Sequence, residues 1–370
     1  MRNHSQQVTL DGFFAAMGLS DPQCWQRQVS DRAFAKARDR LDPLALEHLN
    51  VRVLEQAQSL GLLPLWHGLR VVAADASALV PAIRQAKMLR LPARPQQKLF
   101  SMLLAGVDAT LHACVHGVAV DERQMLFEAL ERLGPQDVLV LDRGYPSTWL
   151  VALLNERGVR YCIRCDNPSG WRAARQLLRG NQEEAHVTLR TPKRLDVLDY
   201  ELSGQAATVR LVRVVCPNGR IQVMVTNLPS DAFGCECFTA LYHQRWRIEE
   251  AYKRLKHPMK LEAVPGLSQH ALRVDVAAKV LADTLASLLC AGASVQAQLH
   301  ARSRVCNRAY AAKLLEHGLA RMLVFVGDVA QLLEQVLALL ARNTQRRRPG
   351  RSQPRPNRHV KPHPSTVYKG

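Results

Sequence analysis

The chain has 370 residues, and its 50 Lys and Arg against 32 Asp and Glu give a formal net charge of +18. A hydrophobic content of 47% excludes a wholly disordered chain, and the length predicts two or three domains. The sequence has no run of about 18 uncharged apolar residues and no apolar N-terminal segment, so we predict neither a membrane span nor secretion. This excess of cations suits a polyanionic partner, most commonly nucleic acid.

Helix-start residues divide the beginning of the chain. Ser30 precedes one run of helix-forming residues, and Asp42 followed by Pro43 begins a second. Gly61 ends this pattern. We therefore predict a helical N-terminal region over residues 1–66.

Apolar runs of strand length begin near residue 67 and alternate with helical patterns up to residue 166. The predicted order is three strands, a helix, a strand, a helix and a strand. Asp75 directly follows the first of these strands, and Asp142 follows the fourth. The core is therefore expected to be α/β, with one acid after each of two strands. The predicted strands span 69–74, 99–106, 109–118, 137–141 and 159–164, and the predicted helices span 122–133 and 147–157.

Three further regions follow in the sequence. Residues 167–227 contain the segments HVTLR, LDVLDYEL, ATVRLVRVV and QVMVTNL, whose alternation indicates a β-rich insertion. Residues 231–256 predict one long amphipathic helix, and residues 258–343 predict further helices. Residues 344–370 hold eight Lys and Arg, five Pro and no acid, a composition typical of a disordered tail. That tail is either a solubilising terminus or a phosphate clamp without sequence preference.

Two of the acids are placed to share a metal ion. If the strands before Asp75 and Asp142 are neighbours, their carboxylates converge at the sheet edge. Hard oxygen ligands of this kind suit Mg²⁺, which keeps water ligands and accepts phosphate oxygens. Taken singly, each acid is equally compatible with a turn residue or a helix cap.

One face of the predicted helix 231–256 carries a polar stripe. At about 100° per residue, Tyr242, Arg245, Glu249 and Lys256 lie within about 60° of arc, beside the apolar face. Glu249 can complete a cage of three carboxylates for two Mg²⁺ ions, and the other three side chains can contact phosphate. A solvated charged face is the alternative interpretation.

Four segments, taken in order, resemble the motifs of one protein family. SDRAFAKARDRL occupies 30–41, DASALVP occupies 75–81, DRGY occupies 142–145, and the spacing Tyr-x2-Arg-x3-Glu-x6-Lys occupies 242–256. These segments resemble bacterial insertion-sequence DDE transposases, the group that carries the Tyr-Arg-Glu-Lys helix signature. The resemblance extends over roughly residues 30–290.

The resemblance implies an α/β fold with a ribonuclease H-like core that a β-rich insertion interrupts. Helical N- and C-terminal regions and a disordered basic tail complete the chain. The implied domains are 1–66 (helical), 67–166 plus 228–257 (core), 167–227 (insertion), 258–343 (helical) and 344–370 (tail).

The resemblance also implies the site residues. Asp75, Asp142 and Glu249 take the roles of catalytic residues and ligands of Mg²⁺, with Mn²⁺ as the alternative ion. The residues implied to contact DNA are Tyr242, Arg245, Lys256, Trp246, Arg143 and Tyr145.

The implied activity is DNA transposition. Such an enzyme cleaves the ends of an insertion element and joins the 3′-hydroxyl to target DNA by two-metal phosphoryl transfer. The expected partners are double-stranded DNA, both element ends and target, and a second copy of the chain in the DNA complex. The expected location is the cytoplasm, at the nucleoid. Two alternatives remain open: a related two-metal nuclease that cuts without joining, and a catalytically silent DNA-binding remnant or regulator.

Overall fold

The computed structural model describes residues 6–18, 29–81, 97–167, 170–264, 268–323 and 328–346. The chain divides into two compact units. We call the first the helical unit; it comprises 1–62, 79–96 and 253–370. We call the second the sheet unit; it comprises 63–78 and 97–252.

An eight-stranded sheet in the order β3-β2-β1-β4-β5-β8-β7-β6 forms the centre of the sheet unit. β1 pairs in parallel with β4, and β4 in parallel with β5, whereas the β2–β3, β5–β8, β8–β7 and β7–β6 pairs are antiparallel. The predicted order of three strands, a helix, a strand, a helix and a strand is confirmed. The strands are β1 (Arg70–Leu79), β2 (Gln97–Leu104), β3 (Ala109–Gly117), β4 (Asp137–Leu141), β5 (Arg160–Arg164), β6 (Glu184–Thr188), β7 (Thr208–Val215) and β8 (Ile221–Thr226).

The middle of this sheet is buried on both faces. All five residues of β4 are buried, which is why its sequence DVLVL is almost wholly apolar rather than alternating. Ser147 and Asp121 cap helices through their side chains, as the sequence pattern favours. The helices of this unit are α4 (Glu122–Ala129), α5 (Thr148–Glu156), α6 (Arg172–Arg179), α7 (Arg194–Asp199), α8 (Cys237–His243) and most of α9 (Trp246–Lys256).

The predicted β-rich insertion differs from the structure in two ways. It is not all-β, because it contains α6 and α7, and the first five residues of the segment LDVLDYEL lie in α7 instead of a strand. Leu195 and Leu198 of α7 are 72% and 66% exposed, so the alternation in that segment marks no buried face. In addition, β8 pairs directly with β5, so the strands of this region extend the central sheet.

The single helix predicted over 231–256 is wrong, because the structure contains two helices there. α8 ends at His243 and α9 begins at Trp246. Between them, the Gln244 and Arg245 amides each donate to the carbonyl three residues earlier, at 3.1 Å. This tighter 3₁₀-type turn changes the angle per residue, so Tyr242 cannot be placed on a common wheel with the residues of α9.

The helical unit contains the predicted N-terminal helices. Ser30 and Asp42 accept the hydrogen bonds that cap the second and third of them. A 28-residue helix packs against α3, α11 and α12. The helices of this unit are α1 (Gln6–Gly18), α2 (Asp31–Asp39), α3 (Pro43–Ser59), α10 (Gln269–Gln296), α11 (Arg308–Leu323) and α12 (Val329–Arg342).

Helix α10 is long and apolar enough to cross a membrane by length and composition alone. It also buries two charged residues that form ion pairs inside the unit. Lys279 contacts Asp275 at 2.6 Å, and Asp283 contacts Arg254 at 2.9 Å. Slightly more than half of its most apolar window, 56%, is buried in the protein, which is typical of the core helix of a globular unit.

The first three residues of the predicted disordered tail are ordered. Residues Thr344–Arg346 form β10, which pairs antiparallel with β9 (Arg304–Cys306). Their backbone hydrogen bonds explain why these polar residues are ordered. The remainder of the predicted tail, 347–370, lies outside the described residues.

Candidate active site

Two of the predicted acids lie at the same end of two neighbouring parallel strands. The register runs from Arg70↔Asp137 to Ala73↔Val140, an offset of 67 residues. Asp75 and Asp142 have the same offset, 75 + 67 = 142, and each comes two residues after the last paired residue of its segment. Adjacent strands lie about 4.8 Å apart.

Asp75 lies inside its strand, not after it as predicted. β1 continues to Leu79, whereas its neighbour β4 ends at Leu141. The strand therefore leaves its partner near Asp75, which lets the carboxylate remain partly accessible at 20% exposure. The Tyr252 hydroxyl donates to the Asp75 carbonyl oxygen at 2.6 Å and fixes the backbone at this point.

Burial raises the pKa of the Asp75 carboxyl from 3.8 to about 7. The positive charge of Arg245 and the hydrogen bond from the Ala76 amide lower this pKa, whereas the negative charges of Asp142 and Glu122 raise it. Asp75 is therefore held among other acids in a poorly solvated position.

A tight loop after β4 presents Asp142. Its Oδ1 accepts the Gly144 amide at 2.7 Å, which makes an Asx-type turn. A Cβ on Gly144 would lie 3.0 Å from that same oxygen, so the turn favours glycine. Arg123, at the start of α4, donates to the Gly144 and Tyr145 carbonyls at 2.8 and 3.1 Å and holds the loop in place.

Arg245 joins the third acid to the first. Its Nη2 lies 2.8 Å from Glu249 Oε1, and its Nη1 lies 3.7 Å from Asp75 Oδ2. The guanidinium carbon also lies 5.9 Å from the Tyr242 ring centroid and 5.1 Å from that of Trp246. Arg245 itself is only 6% exposed. Asp75 and Glu249 therefore reach one common cation.

The other predicted DNA contacts occupy different environments. Trp246, next to Arg245, is 49% exposed, and Arg143, which directly follows Asp142, is exposed as well. Both side chains are therefore accessible to DNA. Tyr242 is buried, and burial raises its pKa to about 12. Tyr145 is fully buried, and its contact with DNA stays a prediction. Lys256 lies in the last turn of α9, within the helical unit, and its role stays a prediction.

Glu122 and Tyr252 are two residues that the sequence did not indicate as part of the site. Burial and the charge of Asp142 raise the pKa of Glu122, which places this carboxyl in the same electrostatic environment. Glu122 follows the N-cap residue Asp121, in the first turn of α4. Acids are common at this position because they interact favourably with the helix dipole, so the sequence shows no sign of another role. Tyr252 is buried, and its hydroxyl contact with the Asp75 carbonyl is the observation that reveals a positioning role.

The family profile described as "Transposase DDE domain" matches residues 101–285, which is half of the chain. The chain belongs to the DDE transposase domain family. The matched range includes Asp142 and Glu249 but begins after Asp75. No curated protein sequence matches the chain.

Among solved structures, the chain is similar to one described as a cryo-EM structure of the piggyBac transposase synaptic complex with hairpin DNA. The identity is 10% and the TM-score 0.43, over 95% of this chain and 79% of that one. This likeness is too low to define the fold.

DDE transposases use divalent metals, and the acids of this member have suitable donor chemistry. Among the residues that the structure describes, no three His, Cys, Asp or Glu side chains are grouped closely enough to hold a metal ion. However, Asp75 and Glu249 contact the same guanidinium, and the charge of Asp142 raises the pKa of Asp75. Carboxylate oxygens are hard ligands, and a bound cation relieves the repulsion between them. These acids therefore fit Mg²⁺ or Mn²⁺.

The raised pKa of Asp75 predicts how an Asp75→Asn variant behaves in EDTA. Because the folded-state pKa exceeds 3.8, the folded protein binds more protons than the unfolded chain between about pH 4 and 7. The wild type therefore loses stability as the pH rises through this range, and the variant, which has no proton to lose, does not. Its stability advantage should grow by up to about 2 kcal/mol between pH 5 and 8.

Urea denaturation of both proteins at several pH values measures this difference. Asp108→Asn, at the β2–β3 turn, is the control and should show no comparable growth. A constant difference between Asp75→Asn and the wild type across the pH range would contradict a raised pKa for Asp75.

Proposed function

We propose that this member of the family is an active DNA transposase that cleaves the ends of an insertion element and joins the freed 3′-hydroxyl to target DNA. The observation that carries the proposal is that Asp75 is linked to each of the other two acids, to Asp142 through its charge and to Glu249 through Arg245. Asp75 on β1 and Asp142 directly after β4 lie at the same end of two parallel, paired strands, and Arg245 contacts both Asp75 and Glu249. The strand order β3-β2-β1-β4-β5, with β1, β4 and β5 parallel, supports a ribonuclease H-like core.

The three acids would hold Mg²⁺ or Mn²⁺ in this proposal. Bound there, the ions would activate the attacking water or 3′-hydroxyl and stabilise the leaving oxygen of the displaced phosphodiester. The protein itself orients the acids. Tyr252 fixes the backbone of Asp75, the Gly144 amide fixes the Asp142 carboxylate, and the i,i+4 ion pair with Arg245 fixes Glu249.

DNA would be bound by the cationic and aromatic side chains around these acids. The exposed Trp246 ring is available for stacking on a base, and the exposed Arg143 is available for a phosphate. We assign Tyr242, Arg245 and Lys256 to phosphate contacts at the element end. Transposition requires two element ends to be held together, so we propose a homodimer on DNA, acting at the nucleoid in the cytoplasm.

The test is a product analysis with purified protein and DNA that carries the element's own ends. With Mg²⁺ we expect nicked ends and molecules in which an end is joined to target DNA, and in EDTA we expect neither. Nicking without joining would instead establish a two-metal nuclease. Metal-independent DNA binding with no nicking, and no difference between the wild type and Asp142→Ala, would establish a catalytically silent regulator.

A further inference from the structure

Arg245 is a buried cation between two of the acids. Its side chain is 8% exposed, and the Asp75 and Glu249 side chains that it contacts are 20% and 21% exposed. Its closer contact is with Glu249, four residues later in the first turn of α9, and Arg245 itself directly precedes that helix. Partial burial strengthens the Coulomb attraction within such a pair, and the desolvation of both charges offsets part of that gain.

A metal ion that uses these carboxylates must compete with the guanidinium. Glu249 Oε1 lies 2.8 Å from Nη2, a charge-assisted hydrogen-bond distance. When that oxygen binds a divalent cation, the positive guanidinium beside it is repelled as well as displaced. Arg245 therefore opposes metal binding at Glu249 for as long as it has no other anion to bind.

A second feature of Arg245 indicates which anion that is. Its Nε is buried and has no hydrogen-bond partner in the part of the chain that the structure describes. A buried donor that lacks a partner is unfavourable, so an acceptor that pairs with it is bound more favourably. A phosphodiester offers two oxygens to the Nε and Nη donors of one guanidinium, in the bidentate geometry that arginine favours.

We propose that Arg245 is the internal counter-cation of Asp75 and Glu249, and that it releases Glu249 to a divalent cation when a DNA phosphate binds the guanidinium. Metal binding and DNA binding then favour each other, and by thermodynamic linkage each strengthens the other by the same factor. The inference rests on the proposed function only for the phosphate; the competition with metal follows from the ion pairs alone.

Mn²⁺ binding to the DNA-free protein, measured by calorimetry, tests the competition. Arg245→Gln should bind Mn²⁺ about 3–30-fold more tightly than the wild type, which corresponds to the loss of one partly buried ion pair. Arg245→Lys, which keeps the charge but cannot fork onto two carboxylates, should lie between them. The matched control is Arg247→Gln, since Arg247 is half-exposed on the same helix and pairs with Asp108 at 3.2 Å; its Mn²⁺ affinity should stay within about twofold of the wild type.

Arg245 variants that bind Mn²⁺ no more tightly than the wild type would overturn the proposal. If Arg245→Gln does not fold, as its thermal unfolding would show, Arg245→Lys decides the outcome. This readout needs no catalysis. A protein that neither nicks nor joins DNA can still show the competition, and an active transposase can still fail to show it.

A short DNA duplex tests the coupling. After subtraction of Mn²⁺ bound by DNA itself, the duplex should tighten Mn²⁺ binding to the wild type at least about threefold and leave Arg245→Gln unchanged. The same change in both proteins, or none in either, would show that Arg245 does not couple the two ligands.

Discussion

Glu249→Gln is expected to reduce nicking and strand joining at least about 1,000-fold while DNA binding stays within a few-fold of the wild type. The substitution keeps the size of the side chain and leaves an amide oxygen for the Nη2 of Arg245, 2.8 Å away in the wild type. It removes the negative charge that a divalent cation requires. The measurement is the rate of Mg²⁺-dependent nicking, with DNA affinity measured in parallel.

Glu250→Gln is the control for this prediction. Glu250 is the next residue of α9 and is exposed, pointing about 100° away from Glu249. The Glu250→Gln substitution removes one negative charge from the same turn of α9, and it should leave the nicking rate within about threefold of the wild type. Equal losses in the two variants would show that net charge on α9, and not a ligand at 249, supports the reaction.

Arg210→Met should cost about 2–4 kcal/mol of unfolding free energy, the largest stability effect that we expect from one substitution. Arg210, on β7, is 3% exposed. Its Nε donates to Glu184 on β6 at 2.7 Å, and its Nη1 donates to the Phe233 carbonyl at 2.7 Å. The variant leaves the Phe233 carbonyl without the Arg210 donor. It also removes the hydrogen bonds that connect β6 and β7 to the loop before α8.

Urea denaturation monitored by tryptophan fluorescence measures this effect. The control is Arg220→Met, because Arg220 is exposed in the turn before β8, and its cost should be below about 0.5 kcal/mol. Since the loop at 233 leads into α8 and then to Arg245, we also expect Arg210→Met to weaken Mg²⁺-dependent nicking. Equal stability of the two variants would show that Arg210 is not a structural tie.

The sequence predicted the core elements of the sheet unit because their signals are local. The apolar run DVLVL and the acid that follows it define β4 and place Asp142 at the strand end, as the structure confirms. The motif spacing also led to the family, which the match over residues 101–285 shows. The prediction of a strand in the segment LDVLDYEL was wrong. So short a pattern of apolar and polar residues is compatible with a helix as well as with a strand.

The alignment of Asp75 with Asp142 and the partners of Arg245 depend on the tertiary structure. No sequence pattern states that β1 and β4 are neighbours, since strand order depends on packing between segments about 67 residues apart. The break between α8 and α9 likewise turns Tyr242 out of the helical repeat, although its ring still lies near the guanidinium.

The sequence by itself determined the family, the three candidate acids and the alternation of strands and helices, because these depend on residue identity, spacing and local apolar pattern. Only the tertiary structure decided that Arg245 contacts both Asp75 and Glu249, that Glu122 shares their electrostatic environment, and that Tyr145 is buried. The physical reason is that burial and Coulomb interactions depend on distances through space, which the chain fixes only when distant segments pack.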